Sequence, residues 1–143
     1  MYCSGRTKVG YHPIVNINVR KFIDENKPLE EIIDTASYFF DWVIRNMTVP
    51  GKVETLFVII DLNKVTLPQL PISQVKGFIS VLQHRFRGRL FRMMILTSPG
   101  FNGIWNLVST WIDEHIKAKI VMCEIDNCKK TLLEFICPEV LEI

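Results

Sequence analysis

The sequence predicts an α/β fold, a largely parallel β-sheet flanked by helices, in one domain spanning residues 1–143. Three observations carry that expectation. Short apolar runs of strand length alternate with longer segments whose apolar residues recur every three or four positions, the signature of strands and helices in alternation. The runs are continuous, as in strands covered on both faces, rather than alternately apolar and polar as in a half-exposed antiparallel sheet. Proline and glycine fall at the joints, and no internal repeat, low-complexity tract or linker divides the chain.

The first run, Pro13 to Val19, is rich in β-branched residues (Ile14, Val15, Ile17, Val19) and reads as a strand. The charged stretch Lys21 to Lys27 is expected as a loop. Pro28 opens a helix, since a missing N–H costs nothing in the first turn. Leu29, Ile32, Ile33, Ala36, Phe40, Val43 and Met47 mark its apolar face, and Pro50-Gly51 stops it. Leu56 to Ile60, ending at Asp61, is a second strand, and Asn63 to Pro71 a proline-containing loop. A helix over Ser73 to His84 places Val75, Ile79, Leu82 and Phe86 on one side and is ended by Gly88. Leu90 to Leu96 is the third strand, followed by a turn at Thr97-Ser98-Pro99-Gly100. Phe101, Ile104, Trp105, Val108, Trp111 and Ile112 then recur at helical spacing. Lys119 to Cys123 is a fourth strand and Lys129 to Ile136 a last helix, closed by Pro138.

Composition narrows the function. Apolar residues make up 48% of the chain and charged residues 22%, normal for a globular protein able to bury a continuous core. Nine Phe and three Trp could line an apolar cavity as easily as fill a core. A net charge of +2 gives no ground for a nucleic-acid partner. Four arginines, Arg85, Arg87, Arg89 and Arg92, nevertheless fall within eight residues. They read either as a solvated helix end or as a patch for anionic headgroups or an acidic protein partner.

The four cysteines form no CxxC pair, and no His lies near Cys123 and Cys128 to complete a zinc set, so no metal or cofactor is expected. No signal peptide is legible, and no apolar run approaches the ~20 residues of a membrane span. The expected setting is the cytoplasm, with reduced thiols. Catalytic readings find no anchor. Ser98 lies in no nucleophile elbow and reads as a turn residue. His12, His84 and His115 are scattered, and Asp113-Glu114 are helix neighbours that point apart. Asp61 ends a buried strand without a glycine-rich phosphate loop, and a turn or capping role suits it. No catalytic residue is assigned, and a non-enzyme is expected.

Four segments, taken in order, resemble the CRAL-TRIO domain, the fold of cellular retinaldehyde-binding, tocopherol-transfer and phosphatidylinositol-transfer proteins. Gly5 to Ile14 is similar to that family's opening turn into its first strand. Phe57-Val58-Ile59-Ile60-Asp61-Leu62 is similar to its central strand, and Leu90 to Pro99 to its strand ending in an Asn-Ala-Pro-like turn. Phe101 to Ile120 resembles the pattern of a Phe, an apolar helix, Phe-Leu-Asp, then Lys-Ile before a strand. The resemblance covers nearly the whole chain, without the family's N-terminal helical region.

The resemblance implies binding of a hydrophobic ligand such as a phospholipid in an apolar pocket under a mobile gate helix, with transfer between membranes as its extension. That helix would bring Phe101, Ile104, Trp105 and Val108, then Ser109, Trp111 and Ile112. The preceding helix would add Phe78, Ile79 and Leu82. The plain alternative for the Phe101–Ile112 stripe is an ordinary core helix. At the mouth, Ser98, Ser109, Thr110, Arg87, Arg89 and Arg92 are candidates to choose the headgroup. Ser109 stands where phosphatidylinositol-transferring members carry a Lys, which argues against phosphoinositide binding of the usual kind. A transient anionic membrane surface is an expected partner. The competing expectation is a protein-interaction module of the same fold, binding for example a small GTPase, with a filled core and no lipid.

Overall fold

The computed structural model describes residues 1–101 and 103–141, with the side chain of Ile104 outside the described set. Five strands form one sheet: β1 (Tyr2–Arg6), β2 (Pro13–Asn18), β3 (Leu56–Leu62), β4 (Leu90–Thr97) and β5 (Ile120–Glu124), in the order β1-β2-β3-β4-β5. β1 pairs antiparallel with β2, and every other pair is parallel. The helices are α1 (Val19–Glu25), α2 (Leu29–Met47), α3 (Ile72–Arg85), α4 (Gly103–Val108), α5 (Glu114–Lys117) and α6 (Cys128–Phe135).

The topology decides where the core lies. Right-handed crossovers between parallel strands that advance steadily in one direction place each connecting helix on the same face. Residues of α1 to α4 accordingly pack on one face, with Val15, Ile17, Val58, Leu62, Met93 and Ile95 from the sheet. α6 follows the last strand and covers the other face, where Cys128, Leu132 and Ile136 meet Ile14, Phe57, Ile59, Met94 and Leu96. Alternate residues of β3 therefore serve opposite cores, and both are apolar, which is why the run reads as continuous.

Two elements differ from the sequence expectation. The stretch expected as a loop over Lys21–Lys27 is mostly helix α1. The Asn18 side chain accepts a hydrogen bond from the Lys21 N–H (3.2 Å) at its N-terminus, Arg20 pairs with Asp24 (3.1 Å), and Asn26 ends it in the left-handed region. Charged residues between Val19, Phe22 and Ile23 hide the apolar spacing. The helix expected over Phe101–Ile112 is the second correction. α4 covers only Gly103–Val108, a single 3₁₀ turn follows at Ser109–Trp111, and Ile112 is extended. The Thr110 hydroxyl donates to the Leu107 carbonyl (2.7 Å) and Ser109 to that of Asn106 (3.4 Å), a local competition that disfavours continuing the helix.

β1 escapes a pattern search because Cys3-Ser4-Gly5 has little strand character. It is held by a hairpin over Thr7–His12 in which the buried Thr7 hydroxyl donates to the Val9 carbonyl (2.8 Å) and accepts from the His12 N–H (2.9 Å). The hairpin is tied to α6 through the Lys8 N–H and the Phe135 carbonyl (2.9 Å).

Candidate functional site

The side chains that the sheet and the helices turn toward each other do not fill the space between them. A cavity of about 460 Å³ lies there, inside the range of about 300–1,000 Å³ typical of small-molecule sites. Its floor is the sheet: Ile17, Val58, Ile60, Met93, Ile95 and Met122. These are same-face residues of four adjacent parallel strands, set by the two-residue period. One wall is α3, whose Val75, Phe78, Ile79 and Leu82 stand at spacings of three and four. Phe22 and Ile23 of α1 and Ile32 and Phe40 of α2 close a second side, and Trp105, Val108 and Ile112 a third.

The polar lining is sparse and one-sided: Gln74, Gln83, Arg87, Arg89, His115 and Lys119. Among the described residues, no Asp or Glu lines the cavity. Arg87, Gly88 and His115 are exposed, so the cavity reaches the surface at the end where β3, β4 and β5 begin. There Arg89 donates to the Glu54 carbonyl (3.2 Å) and Lys119 to the Leu90 carbonyl (3.0 Å). None of the ion pairs among the described residues involves Arg87, Arg89 or Lys119. Gln83 spans the gap between α3 and the segment after α4. Its Nε2 donates to the Trp111 carbonyl (2.9 Å), and its Oε1 accepts from the Asp113 N–H (2.7 Å).

Of the residues expected at the pocket, Phe78, Ile79, Leu82, Trp105, Val108 and Ile112 line this cavity. Phe101 lies in the packed core of the same face but outside the lining. Trp111 is also outside it, with the Lys76 ammonium 5.8 Å from its ring centre. Ser109 and Thr110 spend their hydroxyls on backbone carbonyls, and Ser98 accepts from the Lys64 N–H (2.9 Å), so none of the three faces the cavity. The expected position of Ile104 lies outside the described side chains.

The four arginines expected as one patch are divided three ways. Arg85 pairs with Asp41 (2.8 Å), and Arg87 and Arg89 flank the cavity mouth. Arg92 lies over Phe91 (5.0 Å), whose own ring packs on the α6 side of the sheet. An irregularity opposite Leu56 and Phe57 makes Phe91 an extra residue in β4 and shifts the alternation there. Sequence reasoning missed the sheet floor, the α1 residues, His115 and Lys119. The floor was recoverable from the alternation of Val58, Ile60 and Leu62 along β3.

Asp61 has a turn role: its carboxylate accepts from the Asn63 N–H (2.8 Å). Burial pushes the Cys128 thiol above its ordinary value, helped by Cys123, Asp61 and Asp126, and burial does the same to Cys3 against the opposing charge of Arg6. Among the described residues, no three of His, Cys, Asp and Glu come together in a way that could hold a metal ion, and no helix is long and apolar enough to cross a membrane.

The family model described as the CRAL/TRIO domain matches residues 1–143. The chain is also similar in fold to the crystal structure of Sfh5, with a TM-score of 0.67, 13% sequence identity and 87% of this chain covered. It spans about half of that protein, 47% of its length.

Proposed function

The chain belongs to the CRAL/TRIO domain family, whose members bind hydrophobic ligands, and from that premise we propose that it binds one apolar ligand of acyl-chain size between the sheet and α3–α4, without catalysing a reaction on it. The 460 Å³ apolar cavity is the observation that carries this reading. An apolar cavity of about 150 Å³ holds a six-carbon ring. By that scale 460 Å³ takes on the order of eighteen carbons, one long tail rather than two. Each buried CH₂ of a ligand contributes about 0.8 kcal/mol, less the cost of association.

The α4 segment is the proposed gate. It is short and ends in a 3₁₀ turn, and the segment after it meets α3 through the Gln83 amide and the Lys76 ammonium, so it can lift without unwinding a long helix. The exposed Arg87 at the mouth, with the half-buried Arg89 beside it, supports pick-up from a transiently contacted anionic membrane surface. An interaction module of the same fold would need no cavity, which is why the ligand reading is preferred.

Native mass spectrometry of the purified protein, followed by solvent extraction, tests the proposal. The expected result is an added mass of one single-chain lipid per protein. A clean unliganded mass, retained after incubation with mixed liposomes and free fatty acids, would contradict it.

A further inference from the structure

Among the described residues, the ionisable side chains that line the cavity are all basic, and they are concentrated at one end. We infer that the ligand is a single-chain lipid with a compact anionic head, a carboxylate or a phosphate, and that the head sits among Arg87, Arg89, Lys119 and His115 while the tail lies over the sheet. The inference rests on the cavity being a ligand site, as proposed above.

Four observations point the same way. The four residues line the same cavity as the apolar floor, and among the described residues no carboxylate lines it. Arg87, Arg89 and Lys119 take part in none of the ion pairs among the described residues, so all three are open to an anion at the one place where they converge on an apolar cavity. Lys119 is partly buried, and its ammonium has three donors of which the Leu90 carbonyl takes one. An anionic head would give these groups charge-assisted hydrogen bonds that the protein itself does not supply.

Position is also prepared. Arg89 is tied to the Glu54 carbonyl and Lys119 to that of Leu90, so both are anchored at strand starts. Gly88, at φ +77° with open space around it, lets the chain turn between Arg87 and Arg89 so that both reach the mouth. Gln83 is no part of the head site, because both ends of its amide are engaged with Trp111 and Asp113.

The test is competition against an uncharged fluorescent acyl probe by three ligands with the same tail: oleate, 1-oleoyl-lysophosphatidate and oleyl alcohol. At least one anion is expected to compete about tenfold or more better than the alcohol, as a charge-assisted contact implies. Added salt should shrink that advantage. The double variant Arg87→Gln/Arg89→Gln should bring the anion to the level of the alcohol. Lys119→Met should act in the same direction, with far-UV circular dichroism and the urea-unfolding midpoint reporting that both variants are folded. The better of the two anions identifies the head as carboxylate or phosphate. Equal competition by all three ligands, or an anion advantage that survives the double variant, overturns the anionic head while leaving the cavity reading intact. If neither the probe nor any of the three binds, the cavity reading falls and this inference with it.

Discussion

Gln83 joins two elements through one amide, donating to the Trp111 carbonyl and accepting from the Asp113 N–H. Gln83→Met keeps the shape and removes both bonds. It is expected to cost about 1–2 kcal/mol in urea unfolding and to speed hydrogen exchange around Asp113. Cys128 makes a different point. It is buried, and its thiol donates to the Ile125 carbonyl (3.1 Å). With its pKa raised, the folded protein holds a proton that the unfolded chain releases above the ordinary thiol value, so stability should fall as pH rises past that value. Cys128→Ala should remove part of that alkaline loss. Maleimide should label the half-buried Cys123 and Cys137 first and reach Cys128 only on unfolding, and early labelling of Cys128 would contradict its burial. At this scale the turn roles of Asp61 and Ser98 were legible from their neighbours. The fate of the arginines was not: one extra residue in β4 puts Phe91 and Arg92 on the same side, and no pattern in the sequence announces it.

Among the elements, the four parallel strands β2 to β5 and the long helices α2 and α3 could be read from periodicity to within a residue or two, because each carries an apolar pattern, whereas β1 does not. The short ones were misread. α1 has a single apolar turn among charges, and α4 is cut off by hydroxyl side chains whose competition with the helix depends on geometry. α1 matters to the site because Phe22 and Ile23 close one side of the cavity. Asn18→Ala removes the hydrogen bond to the Lys21 N–H and should cost about 0.5–2 kcal/mol. It should also raise the apparent dissociation constant for an acyl probe, while Asn18→Ser should restore both. A stability loss with unchanged probe binding would separate α1 from the cavity. The candidate site was half legible for a related reason. The helix residues facing it follow from their spacing, whereas the α1 wall and the basic end come from parts of the chain that only the fold brings together.

For the whole molecule, the order β2-β3-β4-β5 explains why one face carries α1 to α4 and the other α6, and why the unfilled space lies on the first. The α/β class and the parallel sheet were legible because continuous apolar runs have few other solutions. The cavity was implied only by the family resemblance and not by the pattern itself, because a side chain lining a void and one packed in a core have the same composition and spacing. The central claim is that this void is a binding site, and Ile60, in the middle of its floor, tests it most directly. In a filled core Ile60→Trp would overpack and cost about 1–3 kcal/mol. The decisive measurement is a titration of an uncharged fluorescent acyl probe into the wild-type protein and Ile60→Trp, with urea unfolding of both. The account predicts stoichiometric binding by the wild type, at least about tenfold weaker binding by the variant, and a variant no less stable than the wild type. Equal binding by both proteins, or a variant destabilised as in a packed core, would contradict it.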